Sequence, residues 1–80
     1  MWVRSQDKRR LVKCESFEIY GNRSVIFGYT KNYVNLGEYS TEEKALKVLD
    51  ALQTSITKTI TNTYNNKFGV FQMPQDDEVF

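Results

Sequence analysis

Histidine is absent from this 80-residue chain, and with it go the commonest general base at neutral pH and the commonest metal ligand. Histidine-activated serine or cysteine nucleophiles are excluded, and so are histidine-based zinc hydrolases. A single cysteine, Cys14, cannot close an intrachain disulfide, and one thiol makes no zinc site. No apolar run approaches the ~20 residues that a spanning helix needs, and no signal-peptide core is present. A cytoplasmic protein without membrane contact is therefore expected, in keeping with one unpaired thiol. Repeats and low-complexity linkers are missing as well. Carboxylate or lysine catalysis remains formally open, but the acids do not cluster for it. Glu15 and Glu18 flank Phe17 in a strand, and Glu42 and Glu43 suit a helix start. Neither an enzyme nor a cofactor or metal site is expected.

Eighty residues make one small domain, and folding at this size buries only about 60% or slightly more of the surface exposed by the unfolded chain. Small domains compensate with disulfides, metals or oligomerisation. The first two are poorly served here, so a homo-oligomer is expected. The formal net charge of +1 disfavours a dedicated DNA binder, yet the charge is polarised. The front is basic, and Asp76, Asp77 and Glu78 make the end acidic.

The front is the most informative stretch. In MWVRSQDKRRLVK five cations, Arg4, Lys8, Arg9, Arg10 and Lys13, surround a turn-like Gln6-Asp7-Lys8. This reads as a two-stranded ribbon whose guanidinium groups suit phosphate oxygens, because arginine presents a planar fork of donors. The alternative is a solubilising edge, since charged edges also deter sheet-to-sheet aggregation. Strand alternation adds a condition. If Arg9 and Arg10 both lie in a strand they face opposite ways, and one of them misses any single ligand.

Periodicity supplies the rest of the fold. Strands are expected at Trp2 to Gln6, Arg10 to Tyr20, Ser24 to Thr30, Tyr33 to Tyr39 and Val70 to Met73, where Pro74 stops the last. Val12 and Cys14 differ in parity from Phe17 and Ile19, so the second run must break near Glu15-Ser16. Gly21-Asn22-Arg23 and Lys31-Asn32 read as turns, and the close spacing predicts an antiparallel meander. Ser40-Thr41-Glu42-Glu43 fits a capping box with Ser40 as the cap. Behind it Ala45, Val48, Leu49, Leu52, Ile56 and Ile60 recur at helical steps. Threonines from Thr54 to Thr63 lower helix propensity, so the helix should fray toward Asn62. Asn65-Asn66-Lys67 and Gly69 then form a loop. The expected class is α+β: a small antiparallel sheet of four to five strands with one amphipathic helix on one face. Residues 1–74 form the domain, and 75–80 are an acidic C-terminal tail, expected to be mobile or to lie on the basic hairpin of a neighbouring subunit.

Most aromatics must fill the interior of so short a chain, and Trp2, Phe17, Phe27 and Phe71 are assigned there. Tyr29, Tyr33 and Tyr39 carry hydroxyls that want water or a partner and are the better candidates for a ligand face. Cys14 reads as a small buried hydrophobe.

MWVRSQDKRRLV at the start, LGEYSTEEKALKVLDALQ in the middle and VFQMPQDDE at the end together resemble a group of short proteins from phages, prophages and mobile elements of Gram-positive bacteria. The resemblance implies a counter-defence protein in the host cytoplasm that acts by binding. One form of it holds a nucleotide immune signal, such as a cyclic nucleotide, as a homo-oligomer. Arg4 and Lys8, with Arg9 or Arg10, would then face phosphate, and Tyr29 or Tyr33 would stack on a base. The alternatives are an anti-CRISPR-like inhibitor that blocks a host defence protein and a small nucleic-acid-binding regulator.

Overall fold

At Cys14 the chain leaves one sheet and enters another, and the molecule is organised around that step. The computed structural model describes residues 1–20, 24–61 and 70–80. Its elements are β1 (Trp2–Arg4), β2 (Leu11–Lys13), β3 (Ser16–Tyr20), β4 (Val25–Tyr29), β5 (Tyr33–Glu38), α1 (Glu42–Thr61) and β6 (Val70–Gln72), followed by a 3-10 turn at Asp76–Glu78. The class is α+β. The strands divide into two three-stranded sheets, in the orders β2-β1-β6 and β3-β4-β5, where one sheet was expected. The second is the anticipated antiparallel meander. In the first, β6 returns parallel to β1, with Val3 opposite Phe71. The parity conflict inside the 10–20 run is resolved by this change of sheet, since Cys14 and Glu15 lie between β2 and β3.

Alternation then decides what is buried. Val3 faces the core from β1, while its neighbours Trp2 and Arg4 are exposed. On the meander Ile26 and Leu36 are buried under α1, whose Ala45, Val48 and Leu52 project onto them. Phe17, Ile19, Val34, Leu49 and Phe71 pack around this centre. Trp2 and Phe27 are thus not interior residues as expected, because their strand partners of opposite parity took the core. Tyr39, expected on a ligand face, is buried instead, and its hydroxyl donates to the Pro74 carbonyl at 2.9 Å. Burial away from water, with Asp76 and Glu78 nearby, pushes that phenol far above its ordinary range.

The helix start differs by one residue from the sequence expectation. Thr41 is the cap, its Oγ1 accepting the Lys44 backbone N–H at 3.1 Å, and α1 begins at Glu42. Glu43 is therefore not the box partner. Besides Glu42 and Glu43 of the first turn, a third acid reaches this end from the far terminus: Asp76 Oδ1 accepts the Ser40 backbone N–H at 2.8 Å, and its Oδ2 lies 3.6 Å from Lys44 Nζ. The acidic end is accordingly not a mobile tail. Gln75 donates from Nε2 to the Gln6 carbonyl at 2.6 Å, and Val79 is buried in the core. The helix reaches Thr61, close to the expected end. The turn at 21–23, Tyr64, and the loop at Asn65-Asn66-Lys67 and Gly69 lie outside the described residues. Among the described residues no helix is long and apolar enough to cross a membrane.

This latch has a pH signature. The Ser40 N–H bond, then the Ser40 hydroxyl and the charge of Lys44, hold the Asp76 carboxyl below its ordinary value of 3.8. A depressed folded-state pKa contributes stability that is complete above the unfolded value and lost as pH falls through the folded one. Urea unfolding of native and Asp76→Asn protein should show a stability gap that is widest above pH 3.8 and closes on acidification. A gap independent of pH would assign the latch to shape alone.

Candidate functional site

The loop that joins β1 to β2 is held rigid from within by one serine and one aspartate. Ser5 is buried; its hydroxyl donates to Asp7 Oδ1 at 2.6 Å and accepts the Arg10 backbone N–H at 3.1 Å. Asp7 Oδ1 also accepts the Arg9 backbone N–H at 3.0 Å. These bonds, the Ser5 hydroxyl first, hold the Asp7 carboxyl below its ordinary range. Lys8 takes the left-handed turn position, at φ 66°. Its carbonyl accepts Arg4 Nε at 3.0 Å, which draws the Arg4 guanidinium over the loop.

The loop is also fastened to the rest of the fold. The ladder between β4 and β5 slips opposite Ile26 and Phe27, so that Leu36 is the extra residue of a bulge. Its carbonyl accepts the Gln6 backbone N–H at 2.7 Å. The Gln6 amide brackets Glu38, accepting its N–H at 3.0 Å and donating to its carbonyl at 3.0 Å. From the other side Gln72 donates to the Ser5 carbonyl at 3.0 Å. Gln6 ties the loop to the second sheet, while Gln72 and Gln75 fasten it to the C-terminal segment. None of the three was singled out from the sequence, because an isolated glutamine carries no local pattern that marks it as a clamp.

On this fixed loop Arg4, Lys8, Arg9 and Arg10 line a single depression of about 550 Å³, completed by Leu11 and Val70. The expectation that Arg9 and Arg10 would serve opposite faces is overturned. Neither lies in a strand, since β2 begins only at Leu11, so alternation does not separate them. Asp7 is committed to the loop's own N–H and O–H groups. Among the described residues the one ion pair is Lys44 with Asp76, so none of these four cations is in salt-bridge contact with a carboxylate, although the charges of Arg9 and Arg10 help hold the Asp7 carboxyl low.

Tyr29 and Tyr33 are brought together elsewhere, with ring centres 5.2 Å apart on the outward face of the meander. Phe27 stands beside them and meets Tyr33 edge to face at 6.4 Å and Tyr20 at 5.5 Å. Glu18, Tyr20, Phe27 and Tyr33 line a second depression of about 310 Å³. The basic candidates and Tyr33 thus line two different depressions, and Tyr29 stands beside the second without lining it. Asn35 stands between them in the fold: it pairs with Phe27 across the ladder and lines a polar cleft that Arg10 also borders.

Cys14 is buried, and the loss of water pushes its thiol pKa up, so the thiol stays protonated and poorly nucleophilic. Among the described residues no group of three or more cysteines and carboxylates is placed to hold a metal ion. Compared with known protein families, curated proteins and solved structures, the chain matches none.

Proposed function

We propose that this chain is a non-enzymatic binding protein that holds a phosphate-bearing nucleotide in the hairpin groove and withdraws it from solution. The setting is phage-type counter-defence in a host cytoplasm, the ligand a nucleotide immune signal, and the working form a homo-oligomer. One observation carries the reading: four cations that form no ion pair among the described residues surround one depression on a loop pinned from two sides. The loop backbone is fixed and the Arg4 guanidinium is tethered to the Lys8 carbonyl, so this part of the site loses little freedom on binding, which is where preorganised sites gain affinity. Arg4, Arg9 and Arg10 supply guanidinium forks to phosphate, and Lys8 adds a point charge. Leu11 and Val70, both exposed, offer an apolar rest for the remainder of the ligand. Tyr29 and Tyr33 are not part of this groove.

The test is a thermal-shift screen with cyclic mononucleotides, cyclic dinucleotides and pyrophosphate, together with light scattering for the oligomeric state. A ligand at 100 times its Kd stabilises the native state by about 2.7 kcal/mol. In a domain of this size that is a rise of roughly 10 °C or more. The bound nucleotide should be recovered chemically unchanged.

A second reading, an inhibitor that occludes a host defence protein, is favoured by the exposed rings of Tyr20, Tyr29 and Tyr33 on one sheet face. Aromatic residues are enriched at the centres of protein interfaces. No melting shift across the nucleotide panel, with a defence protein co-purifying, would favour this reading over the first.

A further inference from the structure

We propose that the aromatic corner on the outward face of the meander is a binding site for an alkylated ammonium group. Three observations converge on that chemistry. The first is the angle between the walls. Phe27 stands at 81° to Tyr20 and at 85° to Tyr33, so at each contact two ring planes meet as the sides of a right-angled corner. A group seated in that angle lies against the flat of the upright ring and the part of the other's face that its edge leaves uncovered. The negative face of an aromatic ring attracts a cation, and several faces around one cation form the cage used for quaternary ammonium groups. A flat guanidinium gains most from a single parallel ring. A tetrahedral alkylammonium fills a corner.

The second observation is charge. Glu18 lies directly across the ladder from Phe27 and lines the same depression, and no lysine or arginine lines it with them. Among the described residues Glu18 forms no ion pair. The carboxylate therefore adds attraction for a positive head group and works against an anion such as a nucleotide phosphate. The third is size. About 310 Å³ is at the lower end of small-molecule sites, enough for a head group and little more. Tyr20 and Tyr33 are 58% and 61% exposed, so the corner is open to a group arriving from solution.

Register explains how the fold builds this corner. Glu18 and Tyr20 alternate outward on β3, Phe27 faces outward on β4, and Tyr33 starts β5 diagonally across from it. The three rings form one diagonal row with Phe27 at its centre. Diagonal neighbours of this kind are within reach of aromatic side chains. The site shares no lining residue with the hairpin groove, so the two can be tested separately.

The experiment is a titration with choline followed by proton NMR. The N-methyl protons should move upfield as they enter the ring faces, and the ring signals of Tyr20, Phe27 and Tyr33 should move with them. Affinity should be on the order of millimolar, as expected for a few exposed cation–π contacts. The uncharged isostere 3,3-dimethylbutan-1-ol should bind at least several-fold more weakly. Tyr33→Ala should weaken choline roughly three- to tenfold, Glu18→Gln should weaken it without altering the protein's other signals, and Arg9→Ala should leave it unchanged. Equal binding of the neutral isostere would overturn the proposal, as would perturbed signals confined to other residues, or no titration at all. Stronger binding of N-acetyl-arginine amide than of choline would overturn the assignment to an alkylated ammonium.

Discussion

Gly28→Ala should lower the melting temperature by roughly 5–20 °C. A Cβ at this position would sit 2.5 Å from Cys14 Sγ and 2.8 Å from Leu36 Cδ1. Both atoms belong to buried side chains at the centre of the core, so neither has solvent to retreat into. Overpacking of this kind costs about 1–3 kcal/mol, and in so small a domain each kcal/mol moves the midpoint by roughly 4–8 °C. The mechanism implies a rescue. Cys14→Ala alone should destabilise modestly, through a small cavity, but combined with Gly28→Ala it removes the nearest clash. The double variant should therefore melt above Gly28→Ala, with a coupling of about 0.5 kcal/mol or more. Strictly additive effects in thermal unfolding would show that Cys14 is not what Gly28 accommodates.

The same glycine explains where the core was hard to read from sequence. Val25, Phe27 and Tyr29 share one parity, Ile26 and Gly28 the other. Apolar bulk alone points to the first set as the interior. The fold puts the second set in the core and leaves Phe27 and Tyr29 outside it, with only Val25 of the first set buried, because Gly28 leaves a hollow that Cys14 and Leu36 fill from neighbouring elements. A hollow filled by residues distant in sequence leaves no local trace. The helix was legible because its apolar steps lie within one segment, and Ala45, Val48 and Leu52 are all buried as their spacing implies. The strands were legible for the same reason, to within two residues at most ends. Their division into two sheets was not, since it depends on β6 pairing with β1 from the other end of the chain.

The cap shows the same limit on a smaller scale. Ser40, Thr41 and Glu43 offer two registers for a helix start. The choice of Thr41 goes with Asp76 taking the Ser40 N–H, a bond that spans 36 positions of sequence. The basic groove was half legible. Its residue types could be read directly, and so could the turn that gathers them. That Arg9 and Arg10 share one depression follows from where β2 begins, and that boundary was placed one residue too early.

Arg9→Ala and Arg10→Ala should each weaken a phosphate-bearing probe by roughly tenfold or more, in line with about 1.5–3 kcal/mol for a hydrogen bond to a charged group. Strand alternation would have spared one of them. The loop does not, because both precede β2 and both line the groove with Arg4 and Lys8. Isothermal titration with pyrophosphate, and with whichever cyclic nucleotide raises the melting point most, separates the two cases. Both side chains are exposed and neither makes an ion pair among the described residues, so their loss should leave stability within about 0.5 kcal/mol of the native protein. Lys8→Gly is the complementary variant: it removes a cation while placing in the left-handed turn the residue best suited to it. It should weaken binding less than either arginine, since a single ammonium is replaced more easily by water than a guanidinium fork. One silent arginine would restore the two-faced strand. Two silent arginines, with Lys8→Gly silent as well, would remove the groove from the binding reading and leave the aromatic face as the surface to pursue.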